Sequence, residues 1–136
     1  IESALEGREF SVGAVLFDKK VHVLPITEII SENDFFDYAA KYKGQSQEIT
    51  PAKITKKLEK KLTNLSIKIY ETLGLKGIVR SEFIVVNDIP HFLEINSVPG
   101  MTSKSIIPQQ LESSGIELPK FLNKILIEIK TDSTTK

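Results

Sequence analysis

HFLEINSVPGMTSKSIIP, residues 91–108, concentrates polar residues that the hydrophobic pattern around it does not account for. Read with the two-residue period of a β-strand, HFLEINS places Phe92, Glu94 and Asn96 on one face and Leu93 and Ile95 on the other. A carboxylate and an amide then share a face. Pro99 and Gly100 supply a turn. Met101, Thr102, Ser103, Lys104 and Ser105 follow as a hydroxyl-rich run able to offer N–H and hydroxyl donors to an anion. Hard oxygen ligands at the end of a strand, followed by an anion-holding loop, fit a metal–phosphate or metal–carboxylate site. Taken alone, the same residues also describe the solvated face of an antiparallel sheet and an ordinary loop.

The preceding segment, GIVRSEFIVV at residues 77–86, bears on that choice. It alternates: Ile78, Arg80, Glu82, Ile84 and Val86 point one way, and Val79, Ser81, Phe83 and Val85 the other. Arg80 is one of only two arginines and stands with Glu82 on a face otherwise made of Ile and Val, where burial without partners is costly. The two strands form a hairpin whose loop length sets the register. A loop of Asn87, Asp88 and Ile89 brings residue 82 opposite 94 and residue 80 opposite 96. A two-residue turn instead puts Glu82 opposite Leu93. In the first case two carboxylates, an amide and a guanidinium share one face, a set suited to divalent cations bridging a polyphosphate, with the arginine free to hold an anionic intermediate.

The 136 residues suffice for one ordinary domain. Eighteen basic residues balance eighteen acidic ones, so no overall field draws nucleic acid or an anionic membrane, and an anion site has to be local. The apolar runs are too short to span a bilayer. Cysteine is absent, which removes disulfides and thiolate metal sites. No signal peptide opens the chain, and the expected location is cytoplasmic. The chain starts at Ile1 and reads as ordered almost at once, the expectation being a piece of something larger.

In chain order, EFSVGAVLF sets Phe10, Val12, Ala14 and Leu16 against Glu9, Ser11, Gly13 and Val15, a strand pattern. Asp18, Lys19 and Lys20 form a turn. VHVLPITEII is a second strand-like segment whose Pro25 suits an edge or a bulge, with His22 on its surface. Residues 31–50 lack a sustained period and read as a long loop holding four of the ten aromatic residues, Phe35, Phe36, Tyr38 and Tyr42, with Lys41 beside Tyr42. It is either a cover over a ligand or a surface loop packed down by its own aromatics. Thr50-Pro51 reads as N-cap and first helical position of an amphipathic helix carrying Ile54, Leu58, Leu62, Leu65, Ile69 and Leu73, lysines on its far side and Gly74 as its stop. A short helix closing near Gly115 follows the site loop. LPKFLNKILIEIK then offers Phe121, Leu122, Ile125, Leu126 and Ile129 as a core stripe, ahead of a frayed polar tail.

With these residues in view, the chain resembles the C-terminal part of a D-alanine–D-alanine ligase, in the ATP-grasp superfamily. LEINSVPGMTSKSIIP is similar to that family's metal and substrate signature; Glu-x-Asn is shared more widely, but its continuation into Pro-Gly-Met-Thr-Ser-x-Ser is specific to this branch. The resemblance runs from Ile1 to about Ile129. It implies an α+β fold, the ATP-grasp C-terminal subdomain with a mostly antiparallel sheet packed with helices, and residues 1–136 as the C-terminal half of an ATP-grasp domain. The implied activity is ATP-dependent ligation of two D-alanines through an acylphosphate, for peptidoglycan precursors.

By the same resemblance, Glu82, Glu94 and Asn96 hold two Mg2+ or Mn2+ ions on ATP. Arg80 and the N–H of Gly100 stabilise the tetrahedral intermediate, and Ser105 with the N–H of Ile106 binds the second D-alanine's carboxylate. Lys41 reaches an ATP phosphate and Tyr42 lies over the D-alanine site; relatives making a depsipeptide carry another residue there, so Tyr42 favours the dipeptide. Glu9 binds the ribose, and Glu2, Ser3 and Leu5 fall in the adenine linker. Neither nucleic acid nor membrane is an implied partner, and the full-length enzyme is expected to be a homodimer. The sequence departs from the family in carrying Glu82 where Asp is common. The family's N-terminal domain, ATP-binding lysines and phosphate-covering loop precede the adenine linker. The alternatives are another ATP-grasp carboxylate–amine ligase, or a nucleotide- or metal-binding module without catalysis.

Overall fold

The segment read as the first strand becomes β1 (Arg8–Phe17), the central strand of the structure and buried on both faces. The protein is described by a computed structural model covering residues 4–31 and 46–133. β1 alternates as its sequence requires: Phe10, Val12 and Ala14 face one layer, while Ser11, Gly13 and Val15 face the other. β2 (Lys20–Val23) turns back on β1 through Asp18 and Lys19, both at positive φ, as a two-residue hairpin turn of matching twist requires. β3 (Thr27–Ser31) pairs the first half of the same strand.

The segment read as one strand is therefore two. Val12 and Gly13 stand opposite Leu24, Pro25 and Ile26, so the chain kinks at Pro25, which has no N–H to give the ladder. β4 (Ser46–Ile49) pairs β3 and is cut from the end of the segment read as loop; four residues at a sheet edge carry too little alternation to stand out. Residues 32–45, with Lys41 and Tyr42, lie outside the described residues. β5 (Ile78–Val86) takes the other side of β1, and β6 (Ile89–Asn96) pairs β5. The order is β4-β3-β1-β5-β6, with β2 also on β1, and every pairing is antiparallel.

Helices cover both faces. α1 (Lys56–Thr72) lays Leu58, Leu62 and Tyr70 against Phe10, Val12, Ala14, Val79, Phe83 and Val85. Its start differs from the sequence reading: Thr55 is the N-cap, its side chain accepting from the Leu58 N–H at 3.2 Å. At Thr50 the chain still runs beside the sheet: its hydroxyl pairs with that of Thr27 at 2.6 Å, and the Ala52 N–H donates to the Ile26 carbonyl at 2.7 Å. Gly74, at φ +59, stops the helix as expected. Leu73 is exposed, and the buried end of the stripe is instead Tyr70, whose hydroxyl donates to the Gly77 carbonyl at 2.7 Å.

On the opposite face α2 (Ile106–Ser113) and α3 (Leu118–Ser133) pack Ile107, Leu111, Phe121 and Ile125 on Val15, Phe17 and Leu24. Only one flank of the predicted α3 stripe is core: Phe121 and Ile125 pack on the sheet, whereas Leu126, 58% exposed, and Leu122 lie on the outer flank. α3 also runs on to Ser133, into the segment read as tail.

Arg8, the other arginine, forks onto Glu28 at 2.7 and 2.9 Å and reaches the Lys53 carbonyl at 3.2 Å, tying β1 and β3 to the approach to α1. Gly13 is the point where α2 touches the sheet: a Cβ there would run into Gln110 Oε1 and come within 2.7 Å of Ile107 Cδ1.

Two substitutions check this packing by urea unfolding. Thr55→Ala should cost about 1 kcal/mol through the lost cap. Gly13→Ala should cost more, about 1–3 kcal/mol, because it wedges α2 off the sheet.

Candidate functional site

The β5–β6 hairpin turns through Asn87 and Asp88 alone, at φ 50 and 61, with Val86 opposite Ile89. By the sequence argument a two-residue turn should have set Glu82 against Leu93. It does not, because a bulge lies between the pairs Phe83–Phe92 and Glu82–Glu94 and leaves Leu93 as the extra residue. Beyond it the register is Glu82 opposite Glu94 and Arg80 opposite Asn96. Paired residues of an antiparallel ladder share a face, so the four side chains lie on one face. The bulge also overturns one face assignment: Phe92 goes with Phe83, the rings 5.8 Å apart, and is not on the face of Glu94 and Asn96.

Within the cluster, Glu82 is only 6% exposed, whereas Glu94 is exposed and Asn96 half-buried. Arg80 Nε lies 2.6 Å from Glu82 Oε1, and the Ser11 hydroxyl donates to the same oxygen at 3.2 Å. Glu82 Oε2 is buried without a hydrogen-bond partner. Burial is the main influence on Glu82 and pushes its carboxyl above the usual carboxylate range; Arg80 and the Ser11 hydroxyl pull it back, and Glu9 adds repulsion. Asn96 Oδ1 accepts from the Val98 N–H at 3.0 Å, which fixes the amide where the strand ends. A buried carboxylate oxygen lacking a donor, with a second carboxylate opposite and an amide oxygen in the next pair, is a donor set of hard oxygens that fits Mg2+ or Mn2+. Among the described residues no three His, Cys, Asp or Glu side chains cluster, so the amide is needed to complete the set.

The loop after β6 leads to α2. Ser105 is the N-cap of α2, yet its hydroxyl turns back to Thr102, 2.8 Å from that hydroxyl and accepting the Thr102 N–H at 3.2 Å, and makes no bond to its own helix. The first turn thus retains N–H donors at Ile106 and Ile107 for another acceptor. Gly100 lies against this corner: a Cβ would sit 2.8 Å from Ser105 Oγ, so only glycine lets the loop approach so closely.

A family model described as the D-ala D-ala ligase C-terminus matches residues 1–127. The chain belongs to this ligase family. The D-alanine–D-alanine ligase of Flavobacterium johnsoniae is 51% identical over 130 residues, which are 95% of this chain and 40% of that protein. That of Christiangramia forsetii is 52% identical over 118 residues, 87% of this chain and 36% of that protein. The crystal structure of the Bacillus anthracis ligase complexed with ATP superposes with a TM-score of 0.77 at 29% identity, covering 97% of this chain and 43% of that one. A D-Ala:D-Ser ligase from Enterococcus faecalis, VanG, superposes with a TM-score of 0.75 at 28% identity, covering 90% and 36%. The chain therefore spans about two fifths of the length of the curated ligases it matches. The α+β architecture is that of the ligase family's C-terminal ATP-grasp region.

Of the other residues singled out, Glu9 is half-buried on the face of Ser11, and Leu5 is half-buried ahead of β1. Glu2, Ser3, Lys41 and Tyr42 lie outside the described residues. Ser11, Thr27 and Gln110 escaped the sequence reading, although all three are fully buried. The available signal was Gln110, a polar residue at an inward position of an otherwise apolar helix face shared with Ile106, Ile107 and Leu111.

The raised Glu82 carboxyl has a consequence in the presence of a chelator. Over the window from the ordinary carboxylate range up to the raised folded value, the native chain keeps a proton that the unfolded chain has released. Stability is complete below that window and is lost as pH rises through it. The unfolding free energy of Glu82→Gln should fall less over this window than that of the unsubstituted protein. Urea titrations at stepped pH check it, and a steeper fall in the variant contradicts the burial argument.

Proposed function

We propose that this chain is the C-terminal part of a D-alanine–D-alanine ligase that uses ATP to join two D-alanines into the peptidoglycan precursor dipeptide. The observation that carries this reading is the register that sets Glu82 opposite Glu94 and Arg80 opposite Asn96, on the same chain that supplies the Gly100–Ser105 corner. Glu82, Glu94 and Asn96 would hold two Mg2+ or Mn2+ ions, whose chemistry is to neutralise the ATP phosphates.

In the proposed reaction the carboxylate of the first D-alanine takes the terminal phosphoryl group of ATP, giving an acylphosphate and ADP. The amine of the second D-alanine attacks the acyl carbon, and phosphate leaves as the peptide bond forms. Arg80, anchored beside Glu82, and the N–H of Gly100 meet the negative charge that develops in the tetrahedral intermediate. The second D-alanine's carboxylate binds at Ser105 and the N–H of Ile106, where the uncapped first turn of α2 supports an anion. Glu9 takes the ribose, Glu2, Ser3 and Leu5 the adenine, Lys41 a phosphate, and Tyr42 covers the D-alanine site and favours the dipeptide. These groups act by alignment and charge neutralisation. A homodimer and a cytoplasmic location complete the proposal; among the described residues no helix is long and apolar enough to cross a membrane.

The test is phosphate release and D-alanyl-D-alanine formation by the full-length protein with ATP, Mg2+ and D-alanine. In that protein Glu94→Gln should lower turnover on the order of 100-fold. Its unfolding free energy should stay within about 0.5 kcal/mol, since Glu94 is exposed. The 136 residues alone should release no phosphate, because the first D-alanine site belongs to the family's N-terminal domain. Turnover by these residues at the rate of a full-length ligase would remove the need for that domain.

A further inference from the structure

Ser11 is paired with Thr27 on one side and with Glu82 on the other, and Glu82 is paired with Glu94. Thr27, Ser11, Glu82 and Glu94 therefore form one polar row crossing β3, β1, β5 and β6 on the face that α2 covers. The row starts in the interior, where Ser11 and Thr27 are fully buried, and ends at the exposed Glu94. Above it sits Gln110, 0% exposed, whose Nε2 donates to the Ser11 carbonyl at 3.0 Å and to Thr27 Oγ1 at 3.1 Å. Thr27 passes the chain on to Thr50 at 2.6 Å. In the adjacent row Gly13 leaves the space that Gln110 Oε1 occupies.

A glutamine at an inward helix position is a costly choice if only packing is required, since a buried amide has to be bonded and an apolar side chain does not. Here its Nε2 bonds the helix to Ser11 on β1 and to Thr27 on β3, while its Oε1 is buried without a hydrogen-bond partner; the Ser11 hydroxyl in turn holds Glu82 Oε1 at 3.2 Å. Gln110 lies four residues beyond Ile106, so it anchors α2 about one turn behind its N-terminus. The same contact thus fixes the N-terminus of α2 relative to the buried carboxylate.

We propose that Ser11 and Gln110 are positioning residues: Ser11 orients Glu82 for metal, and Gln110 locks α2 to the same row so that the Ser105–Ile106 end keeps its distance from Glu82. The inference rests on the functional reading above. It adds two residues that touch neither substrate nor metal, and it makes the geometry of the second-substrate end depend on the strand that carries Ser11.

Two readouts test it in the full-length protein. Mn2+ affinity is measured by water-proton relaxation with a non-hydrolysable ATP analogue, and the KM for the second D-alanine by steady-state kinetics. Ser11→Ala should weaken Mn2+ about 10-fold, with the KM for the second D-alanine within about twofold, because a hydroxyl is lost while the main-chain bond from Gln110 persists. Ser11→Thr, which keeps the hydroxyl, should restore Mn2+ affinity. Gln110→Met, close in shape, should raise that KM about 10-fold through the loosened helix end. Equal Mn2+ affinity in Ser11→Ala and the unsubstituted protein overturns the inference while leaving the ligase reading intact. So does a loss in Ser11→Ala that Ser11→Thr fails to restore, or an unchanged KM in folded Gln110→Met. An unsubstituted protein that binds no Mn2+ with nucleotide overturns the ligase reading and this inference with it.

Discussion

The site depends on one unpaired residue. Two-residue turns with both central φ values positive suit the twist of paired strands, and the Asn87-Asp88 turn takes that form. Continued without interruption, such a hairpin would place Glu82 opposite Leu93, an apolar residue, and move Glu94 to the face that packs against α1. The bulge at Leu93 adds one residue to β6 and reverses its facing from that point on. Before it, Phe92 joins Phe83; after it, Glu94 and Asn96 join Glu82 and Arg80. The hairpin thus gives its tip to the Phe83–Phe92 contact and its base to the polar cluster.

A second constraint follows from β1 being covered on both faces. Glu82 stands beside the fully buried Ser11 of β1 and is buried with it, while its partner Glu94, one strand further out, is exposed. An ionised carboxylate in that position needs compensation. Arg80, two residues earlier on the same face, supplies charge, and Ser11 supplies a hydroxyl, but one oxygen still lacks a donor. An orphaned buried oxygen of this kind calls for an explanation, and the proposed function supplies one in a bound cation.

Much of this was legible in the sequence because it rests on periodicity. The alternation of residues 78–86, the amphipathic run closed by Gly74 and the short helix ending near Gly115 all survive in the structure. Features that hinge on a single residue were not legible. The bulge leaves no composition signal, since Leu93 continues the apolar pattern that a regular strand would show. The Thr-Pro signal at Thr50 misplaces the helix start because residues 50–52 still run beside the sheet, bonded to Thr27 and Ile26, and the cap falls at Thr55. β4 was hidden by its brevity. In α3 the periodicity reports which residues share a flank, not how far a neighbouring layer reaches across it; Leu126 lies beyond that reach.

The polar row shows why the site residues named from motif and pairing were incomplete. A motif names groups that meet a ligand, and strand pairing names groups that meet each other across one hairpin. Ser11 and Gln110 belong to neither class, standing 99 positions apart and joined through a main-chain carbonyl. What could have exposed them is an inconsistency between levels: a glutamine where the helix period calls for an apolar residue, above a strand that offers a serine and a glycine where neighbouring positions are large. Read together, these three positions describe a helix seated low on the sheet and fastened there. The helix so fastened is the one that the Ser105 side chain leaves uncapped, and the strand it is fastened to carries the Ser11 hydroxyl that bonds Glu82. On the reading proposed above, the spacing between the uncapped end of α2 and Glu82 follows from the sheet and one amide rather than from the loop that runs between them.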